Sequence, residues 1–464
     1  MSASQKNAYL ELNLSNAAFA CYVLCITLLP IGFGGNRDIP FGIAQIVLAI
    51  SALLLVFEKN LLKECFWPKR ILWAFWLFGL TILWGFLQSQ SFMPSDWHHP
   101  IWQEAAKALN KPLEGSIALW RGEAFFSLNR LITYIAAGVL GYVFGQDHGR
   151  AKLMLKALWY SGIALCIYGY FNVAIDSTKV LWVEKLQYGH DLTSTFFSKN
   201  HFAIYAALVF LCGCCLLYQS WRKDLRETRE KKLIRTFVAW VSKKAPLPFF
   251  LILFVFGAIL MAHSRAALLL SLAGISVYFI CYQIYAKKWN RAILLLLVSV
   301  GIGAAIISFA VESSQQFANL FIDQSSKDRA TVYNLCVAAI ADNPWFGYGL
   351  GSFHAVFRMY NDSVSASFNH AHSDILESLV DLGLPAGLML WTAIALLISG
   401  VIRGLFKRRR YGLFPALGCA ASFIVFAHSA VDFSLQIPGV VMPFAMLLGL
   451  SLAQSWGSSE KNHN

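Results

Sequence analysis

The sequence predicts an all-α polytopic membrane protein. Of its 464 residues, 57% are hydrophobic and only 14% are charged, whereas a soluble domain has about 25% charged residues. The apolar residues form repeated runs of about 17 or more, the length that crosses a bilayer as a helix. Because these runs do not alternate between apolar and polar positions, they are not the strands of a membrane barrel.

Twelve of these runs are expected to span the membrane. A long polar segment, residues 312–382, separates the ninth run from the tenth and holds most of the candidate functional residues. The runs cover residues 14–34, 40–57, 71–88, 131–146, 157–175, 202–221, 246–262, 266–286, 292–311, 383–402, 411–428 and 436–454.

The distribution of basic residues predicts the orientation in the membrane. With a cytoplasmic N-terminus, the segments that face inside carry 26 of the 38 lysines and arginines. Such an excess is typical of the cytoplasmic side, so both termini are expected there. The basic run from Arg222 to Lys244 is interpreted as a solvated loop that faces anionic lipid heads. The net charge of +13 therefore does not indicate a nucleic-acid partner.

The histidines have the opposite distribution, because nine of the eleven fall in outer segments or at the outer boundary. Imidazole is a common acid–base group near neutral pH, so the chemistry is expected on the outer face. The cysteines indicate no site. Eight of the ten lie in apolar runs, and no pair resembles a disulfide or a thiolate metal site.

Arg265 lies at the outer membrane boundary, in a very short turn between two apolar runs. A charge at this depth is costly unless it extends to the interface or has a partner. Two interpretations remain open at this point. Arg265 either closes the turn with its side chain at the interface, or it forms an anion site that faces a cavity.

Arg329 follows a Ser-Ser-Lys-Asp sequence that resembles a helix start, with Ser326 or Asp328 as the N-cap. The free backbone N–H groups of a first turn attract anions, so Arg329 and this helix start would suit a diphosphate. A surface arrangement of Asp328 beside Arg329 is the alternative. The glycine-rich turn at 347–351 is a weak phosphate signal, because no strand precedes it.

His372 is the candidate general base. It belongs to the sequence His370-Ala-His372-Ser-Asp374-Ile-Leu-Glu377, which leads into a helix expected to break near Gly383. A His-x-His pair beside two carboxylates suggests a metal, but the spacing matches no common metal motif. A general base that a neighbouring carboxylate orients fits better.

Taken in order, these motifs resemble the signature region of the O-antigen ligase family. That family also includes O-antigen and exopolysaccharide polymerases and some protein O-oligosaccharyltransferases. The resemblance covers residues 195–440, and Ser373 departs from it, because the family usually has Asn at this position. It rests on Thr195-Phe-Phe-Ser-Lys-Asn200-His201-Phe, Ser264-Arg265, Arg329, Asn343-Pro-Trp-Phe-Gly347-Tyr-Gly349, His370-Ala-His372-Ser373-Asp374-Ile-Leu-Glu377, Gly383-Leu-Pro-Ala-Gly387 and His428-Ser-Ala-Val-Asp432-Phe.

The resemblance implies a GT-C-like glycosyltransferase that needs no metal or cofactor and takes a glycan from an undecaprenyl-diphosphate carrier. It implies that Arg265 and Arg329 bind the donor diphosphate and that His372 is catalytic, activating the acceptor hydroxyl. The supporting residues expected around them are His370, Asp374, Glu377, Asn200 and His201.

The resulting hypothesis is a bacterial inner-membrane enzyme with a periplasmic active site. It divides the chain into N-terminal transmembrane helices (1–190), the ligase-related domain with its periplasmic 312–382 loop (191–440), and the last span with a cytoplasmic tail (441–464). Ligation to lipid A–core is preferred, and polymerisation of a growing glycan is the next candidate. A protein O-oligosaccharyltransferase is less favoured. So is a transporter, which would show internal repeats and paired mid-membrane charges.

Overall fold

The chain forms a bundle of helices in the computed structural model, which describes residues 3–58, 65–185, 188–189, 191–228, 233–299, 324–361, 368–408 and 412–456. The helices within these ranges are α1 (Ala3–Leu28), α2 (Asp38–Phe57), α3 (Lys69–Gln88), α4 (Ile101–Leu109), α5 (Arg121–Gly145), α6 (His148–Ala174), α7 (Lys199–Thr228), α8 (Leu233–Lys244), α9 (Pro246–Met261), α10 (Arg265–Tyr285), α11 (Trp289–Ser299), α12 (Gln324–Asp342), α13 (Phe353–Tyr360), α14 (Asp374–Lys407), α15 (Leu413–Ser429) and α16 (Pro438–Ala453). Two short strands, β1 (Lys179–Val180) and β2 (Val183–Glu184), pair antiparallel between α6 and α7.

Eight of the described helices are long and apolar enough to cross a membrane: α1, α2, α3, α5, α6, α7, α10 and α14. The pair α8 and α9 passes the same test together but bends by 100° between them, and α11, α15 and α16 are shorter apolar helices. Every predicted span overlaps one of these helices, and the all-α membrane class is confirmed. The number of crossings stays a prediction, because the run 292–311 continues past the described residues.

The middle of the bundle is α7, whose apolar part is 83% buried. The backbones of α5 and α16 approach each other closely. A Cβ on Gly449 would lie 2.4 Å from the carbonyl oxygen of Gly138, a separation that no side chain tolerates. This contact fixes the position of α16. It thereby helps to position the 430–437 segment, which leads into α16 and contains Asp432.

The glycine-rich turn at 347–351 packs against a break in α14. Gly383 has φ +76 and interrupts α14 where the sequence predicts it. Gly347 has φ +68, and a Cβ there would lie 2.4 Å from the backbone nitrogen of Gly383. The turn also bonds to α14, because Tyr348 N donates to Val380 O at 3.1 Å. This turn therefore packs against α14 and stabilises the position of its N-terminal half.

Two elements differ from the prediction. The basic 222–244 run was expected to be a loop, but α7 continues to Thr228 and α8 follows, because the run is rich in good helix formers such as Leu, Arg and Lys. Helix α12 includes Gln324, so Arg329 lies beyond the first turn, where the free N–H groups are. Ser326 and Asp328 lie within the helix and do not begin it. The predicted site of Arg329 at a helix start is therefore wrong.

Candidate active site

His372 and Asp432 form the central pair of the site. His372 lies two residues before α14, and Asp432 lies in the segment between α15 and α16. The His372 Nδ1 atom is 3.1 Å from Asp432 Oδ1. The Asp432 side chain is 3% exposed and the imidazole is 23% exposed. The pair therefore has a buried acid and a base that remains accessible.

The backbone holds His372 in an unusual conformation, with φ +53. A non-glycine residue keeps such a left-handed φ only where its surroundings fix it, and such residues cluster at functional sites. The carbonyl of His372 accepts a hydrogen bond from Tyr333 Oη at 2.9 Å. The next residue, Ser373, caps α14 by accepting from Leu376 N at 3.4 Å, which gives a structural role to the position where the sequence departs from the family.

Asn200 connects Asp432 to the turn before α10. Its Nδ2 donates to Asp432 Oδ2 at 2.9 Å, and its Oδ1 accepts from Ser264 Oγ at 2.9 Å. Ser264 directly precedes Arg265, which is exposed and begins α10. Hydrogen-bonded side chains from four separate parts of the chain therefore run from the turn at Arg265 to His372.

The surroundings of Asp432 favour its ionised form. Burial alone would raise the pKa of this carboxyl. The hydrogen bond from His372 and the nearby imidazoles of His201 and His428 outweigh burial, so the pKa lies well below its ordinary value. Phe433 N also donates to Asp432 Oδ1 at 2.9 Å. Asp432 is therefore a fixed negative charge at neutral pH, and it favours the tautomer of His372 that carries its hydrogen on Nδ1.

Arg329 reaches the same segment from α12. Its Nη1 donates to the carbonyl of Val431 at 3.3 Å, one residue before Asp432. Arg329 is half-buried. Both predicted diphosphate ligands thus adjoin the elements that hold His372. Arg265 does so through Ser264, and Arg329 does so through Val431.

Phe433 packs against three imidazoles. The His370 ring lies nearly parallel to it, with centroids 4.3 Å apart, while His372 and His201 meet it nearly at right angles at 5.0 and 4.7 Å. The His201 Nε2 atom is 3.9 Å from Asp432 Oδ1 and makes no hydrogen bond within the described residues. His201 is therefore a buried packing group beside the pair.

His370 pairs with a different carboxylate. Its Nδ1 lies 3.0 Å from Glu377 Oε1, and the other oxygen of Glu377 accepts from Ala371 N at 2.7 Å. Glu377 therefore stabilises the turn that contains both histidines. The structure brings His370 and Glu377 into the site, but as support for the turn.

Asp374 stabilises the segment on the other side of the pair. Its Oδ2 accepts a hydrogen bond from Leu435 N at 3.0 Å. The carboxylate that orients His372 is therefore Asp432, sixty residues away in sequence, and neither Asp374 nor Glu377, its neighbours in sequence. The reason is geometric, because the first turns of α14 direct these two side chains to Leu435 and to His370.

A second carboxylate that the sequence did not single out lies at the edge of the site. Asp191 Oδ1 is 2.7 Å from His263 Nδ1, and Asp191 Oδ2 is 2.9 Å from Lys199 Nζ. Burial alone would raise the pKa of the Asp191 carboxyl. The hydrogen bonds from Lys199 and His263 lower this pKa by more than burial raises it, so it lies below its ordinary value. Lys199 and His263 each precede a residue of the network, Asn200 and Ser264. Asp191 therefore links the segment that contains Lys199 and Asn200 to the segment that contains His263 and Ser264.

The site thus assembles almost all of the predicted residues, and it adds Asp432, Phe433 and Asp191. The segment from His428 to Phe433 contributes to the family resemblance, and this was the available signal for Asp432. Its contacts with His372 and Asn200 span 60 and 232 residues of sequence. Among the residues that the structure describes, no group of three or more His, Cys, Asp or Glu side chains is placed to hold a metal ion.

The fold and the site together define a class. The protein is a polytopic helical membrane protein with a histidine–aspartate pair, and Arg329 bonds to the segment that carries the aspartate. Arg265 follows Ser264, which belongs to the hydrogen-bonded chain that leads to the pair. A model of the O-antigen ligase family matches residues 249–391. This match confirms the predicted resemblance to the family over residues 249–391.

The matched range contains Arg265, Arg329 and His372, whereas Asn200 and Asp432 lie outside it. The match supports a membrane glycan enzyme of the O-antigen ligase or polymerase type. No curated protein matches the chain significantly.

Proposed function

We propose that the protein transfers a glycan from an undecaprenyl-diphosphate carrier to an acceptor hydroxyl on the periplasmic face, as an O-antigen ligase that acts on lipid A–core. The single observation that carries the proposal is the hydrogen-bonded chain from Ser264 through Asn200 and Asp432 to His372. This chain links a candidate general base to the turn of Arg265. The family match to residues 249–391 supports the same reaction class.

His372 acts as the general base. Its Nδ1 hydrogen is bonded to ionised Asp432, so Nε2 carries the lone pair. The acceptor hydroxyl transfers its proton to Nε2 as its oxygen forms a bond to the anomeric carbon of the donor glycan. Asp432 then stabilises the imidazolium, because a fixed negative charge lies 3.1 Å from the ring.

Arg265 and Arg329 bind the leaving group. The bond between the anomeric carbon and the phosphate oxygen breaks, and the electron pair leaves with the lipid diphosphate. Negative charge develops on that oxygen, and fixed cations stabilise it where it forms. A planar guanidinium also binds two phosphate oxygens at once, which suits a diphosphate better than a lysine does.

The proposed orientation places both termini and the 222–244 segment in the cytoplasm and the site in the periplasm. It rests on the 26 of 38 basic residues that fall in alternate segments. Reporter fusions within 222–244 and within 312–382 are expected to give opposite sidedness. The same sidedness at both positions contradicts the proposed orientation.

A deletion strain tests the proposed function, with surface polysaccharides separated on a gel. Loss of capped lipopolysaccharide, with lipid-linked polymer retained, is the result expected of a ligase. Accumulation of single lipid-linked repeats would instead identify a polymerase. Unchanged polysaccharide contradicts both. Complementation with the wild-type gene and with the His372→Ala variant separates loss of chemistry from loss of the protein.

A further inference from the structure

A second feature of the molecule lies behind the active site. A cavity of about 260 Å³ lies between α3, α5, α14, α15 and α16. Along α5 it extends from Ser127 to Tyr142, roughly 22 Å of helix at 1.5 Å per residue. The hydrocarbon core of a bilayer is about 30 Å thick. The cavity therefore follows α5 for a length that approaches the thickness of the hydrocarbon core, and side chains such as Phe78, Ile394 and Leu448 make its wall apolar.

One end of this cavity is polar and acidic. Asp374, Glu377 and Asp381 line it, and Arg130 is the cation among the lining residues. The side chains of Asp374 and Asp381 are buried, with 6% and 4% of each residue exposed, and the Oδ1 atom of each has no hydrogen-bond partner in the described part of the chain. Two buried acceptor oxygens thus lack a donor, and a buried polar atom without a partner is costly.

The acidic end and the active site share one wall. Asp432 and Phe433 contact the imidazoles, and two residues further on Leu435 and Gln436 line the cavity. Leu435 N also donates to Asp374 Oδ2 at 3.0 Å. A molecule whose apolar part fills the cavity would therefore have its polar end directly behind the His372–Asp432 pair.

The hydrogen-bonding chemistry of this end selects the polar group. The oxygens of an ionised diphosphate only accept hydrogen bonds, so they offer no donor to the unpartnered oxygens of Asp374 and Asp381. Sugar hydroxyls are uncharged and donate hydrogen bonds, which carboxyl oxygens accept. In the proposed function the donor's diphosphate binds instead at Arg265 and Arg329, and neither residue lines the cavity.

We propose that this cavity binds the lipid anchor of the glycan acceptor, and that the free oxygens of Asp374 and Asp381 accept hydrogen bonds from its sugar hydroxyls. This inference rests on the proposed transferase function. It makes the acceptor a lipid-anchored glycan and not a protein. It also separates the two substrates, with the acceptor's apolar tail on one side of the 432–436 segment and the donor diphosphate on the other.

Photolabelling of the full-length protein in lipid nanodiscs tests the proposal without relying on transfer. The probe is hexadecyl glucoside with a diazirine in its alkyl chain, and mass spectrometry locates the label. We expect label on the cavity-lining parts of α14 and α16, reduced by excess unlabelled hexadecyl glucoside and unaffected by farnesyl diphosphate. Protection by farnesyl diphosphate would assign the cavity to the donor and overturn the proposal, as would label spread over the lipid-facing surface.

Two matched substitutions on α14 sharpen the test. Ile394 lines the cavity, whereas Leu388 does not line it and is 57% exposed. Ile394→Trp is expected to lower the labelled fraction about tenfold, as when roughly two methylenes lose their burial, and Leu388→Trp is expected to leave it unchanged. Equal labelling in both variants contradicts the proposal. If Ile394→Trp does not accumulate, Ala445→Trp closes the cavity from α16.

The polar end has its own variant. Asp374→Asn retains an oxygen for Leu435 N but replaces the free acceptor by a donor, so it is expected to lower labelling by the glucoside several-fold. Binding of farnesyl diphosphate is expected to stay at the wild-type level, which shows that the fold is intact. A different outcome contradicts the proposed function alone. In that outcome the wild-type protein takes the label as expected but transfers no glycan from a lipid-linked donor.

Discussion

The His372–Asp432 and His370–Glu377 pairs share most of their local geometry. In each pair Nδ1 lies 3.0–3.1 Å from a carboxylate oxygen, and the two acid side chains are 3% and 6% exposed. Both imidazoles pack on Phe433. They differ in what holds the second carboxylate oxygen. Asn200 of α7 holds that of Asp432, whereas Ala371, the residue next to His370, holds that of Glu377.

This difference separates a pair that connects distant segments from a pair that stabilises its own turn. The Asp432 pair joins the segments of α7, α10 and α14, and through Ser264 it adjoins Arg265. The Glu377 pair lies within eight residues of sequence. Histidine–carboxylate geometry alone therefore does not identify a base. The connection to the two arginines that we propose bind the diphosphate is what favours His372.

The largest expected effect is that of His372→Ala. Removal of a general base typically costs about 10²–10⁴-fold in rate, so we expect a loss of transfer in this range with donor binding retained. His370→Ala is the matched control and is expected to be much milder. Turnover of a lipid-linked donor by purified protein measures both. Equal losses in the two variants would remove the distinction between the pairs, and full activity of His372→Ala would exclude it as the base. If a chelator abolishes activity and a divalent metal restores it, the metal-free mechanism is wrong.

Next in size are the effects of Arg265→Ala and Arg329→Ala. Loss of one group that stabilises developing charge typically costs about 10²–10³-fold, and both variants are expected to insert normally. Lysine at either position should also be impaired, because a point charge replaces a planar fork. Arg358→Ala is the control, since Arg358 is exposed on α13. Wild-type turnover in both alanine variants, at normal protein level, would exclude the diphosphate role.

Asp432→Asn tests whether the carboxylate partner of His372 contributes to catalysis. A group that orients a functional histidine typically contributes about 10–100-fold, so we expect a loss of this size in kcat, with KM for the donor nearly unchanged. The pH profile of kcat should shift as well, because the imidazolium loses its fixed counter-charge. A purely structural role predicts lower protein yield and an unshifted profile.

The fold follows from local signals and was therefore predictable. Length and apolarity define each span, and a glycine two residues before a proline marks the break at Gly383, where φ is +76. The helix start assigned before Arg329 was wrong for a related reason. Ser326 and Asp328 are good N-caps, but such residues also occur inside a helix when the preceding residues continue it, as Gln324 does here.

The site was predictable only in part. Arg265 and His372 stand out because a charge at the membrane boundary and histidines on one face are unusual, and both signals are local. The orienting role of Asp432 depends on contacts over 60 and 232 residues, which no spacing within a motif reveals. The same holds for the apolar cavity, because five helices from both halves of the chain form its wall.

The smallest effect is expected from Glu377→Gln. The amide keeps an oxygen for Ala371 N and presents an N–H to His370 Nδ1, so the turn retains both contacts as neutral hydrogen bonds. Weakening one or two hydrogen bonds corresponds to about two- to tenfold, and we expect transfer to fall within that range. Because the His372–Asp432 pair is untouched, the pH profile of kcat should match that of the wild type, unlike that of Asp432→Asn. A loss as large as that of His372→Ala, together with a shifted profile, would mean that Glu377 acts on the base itself and that the two pairs operate as one.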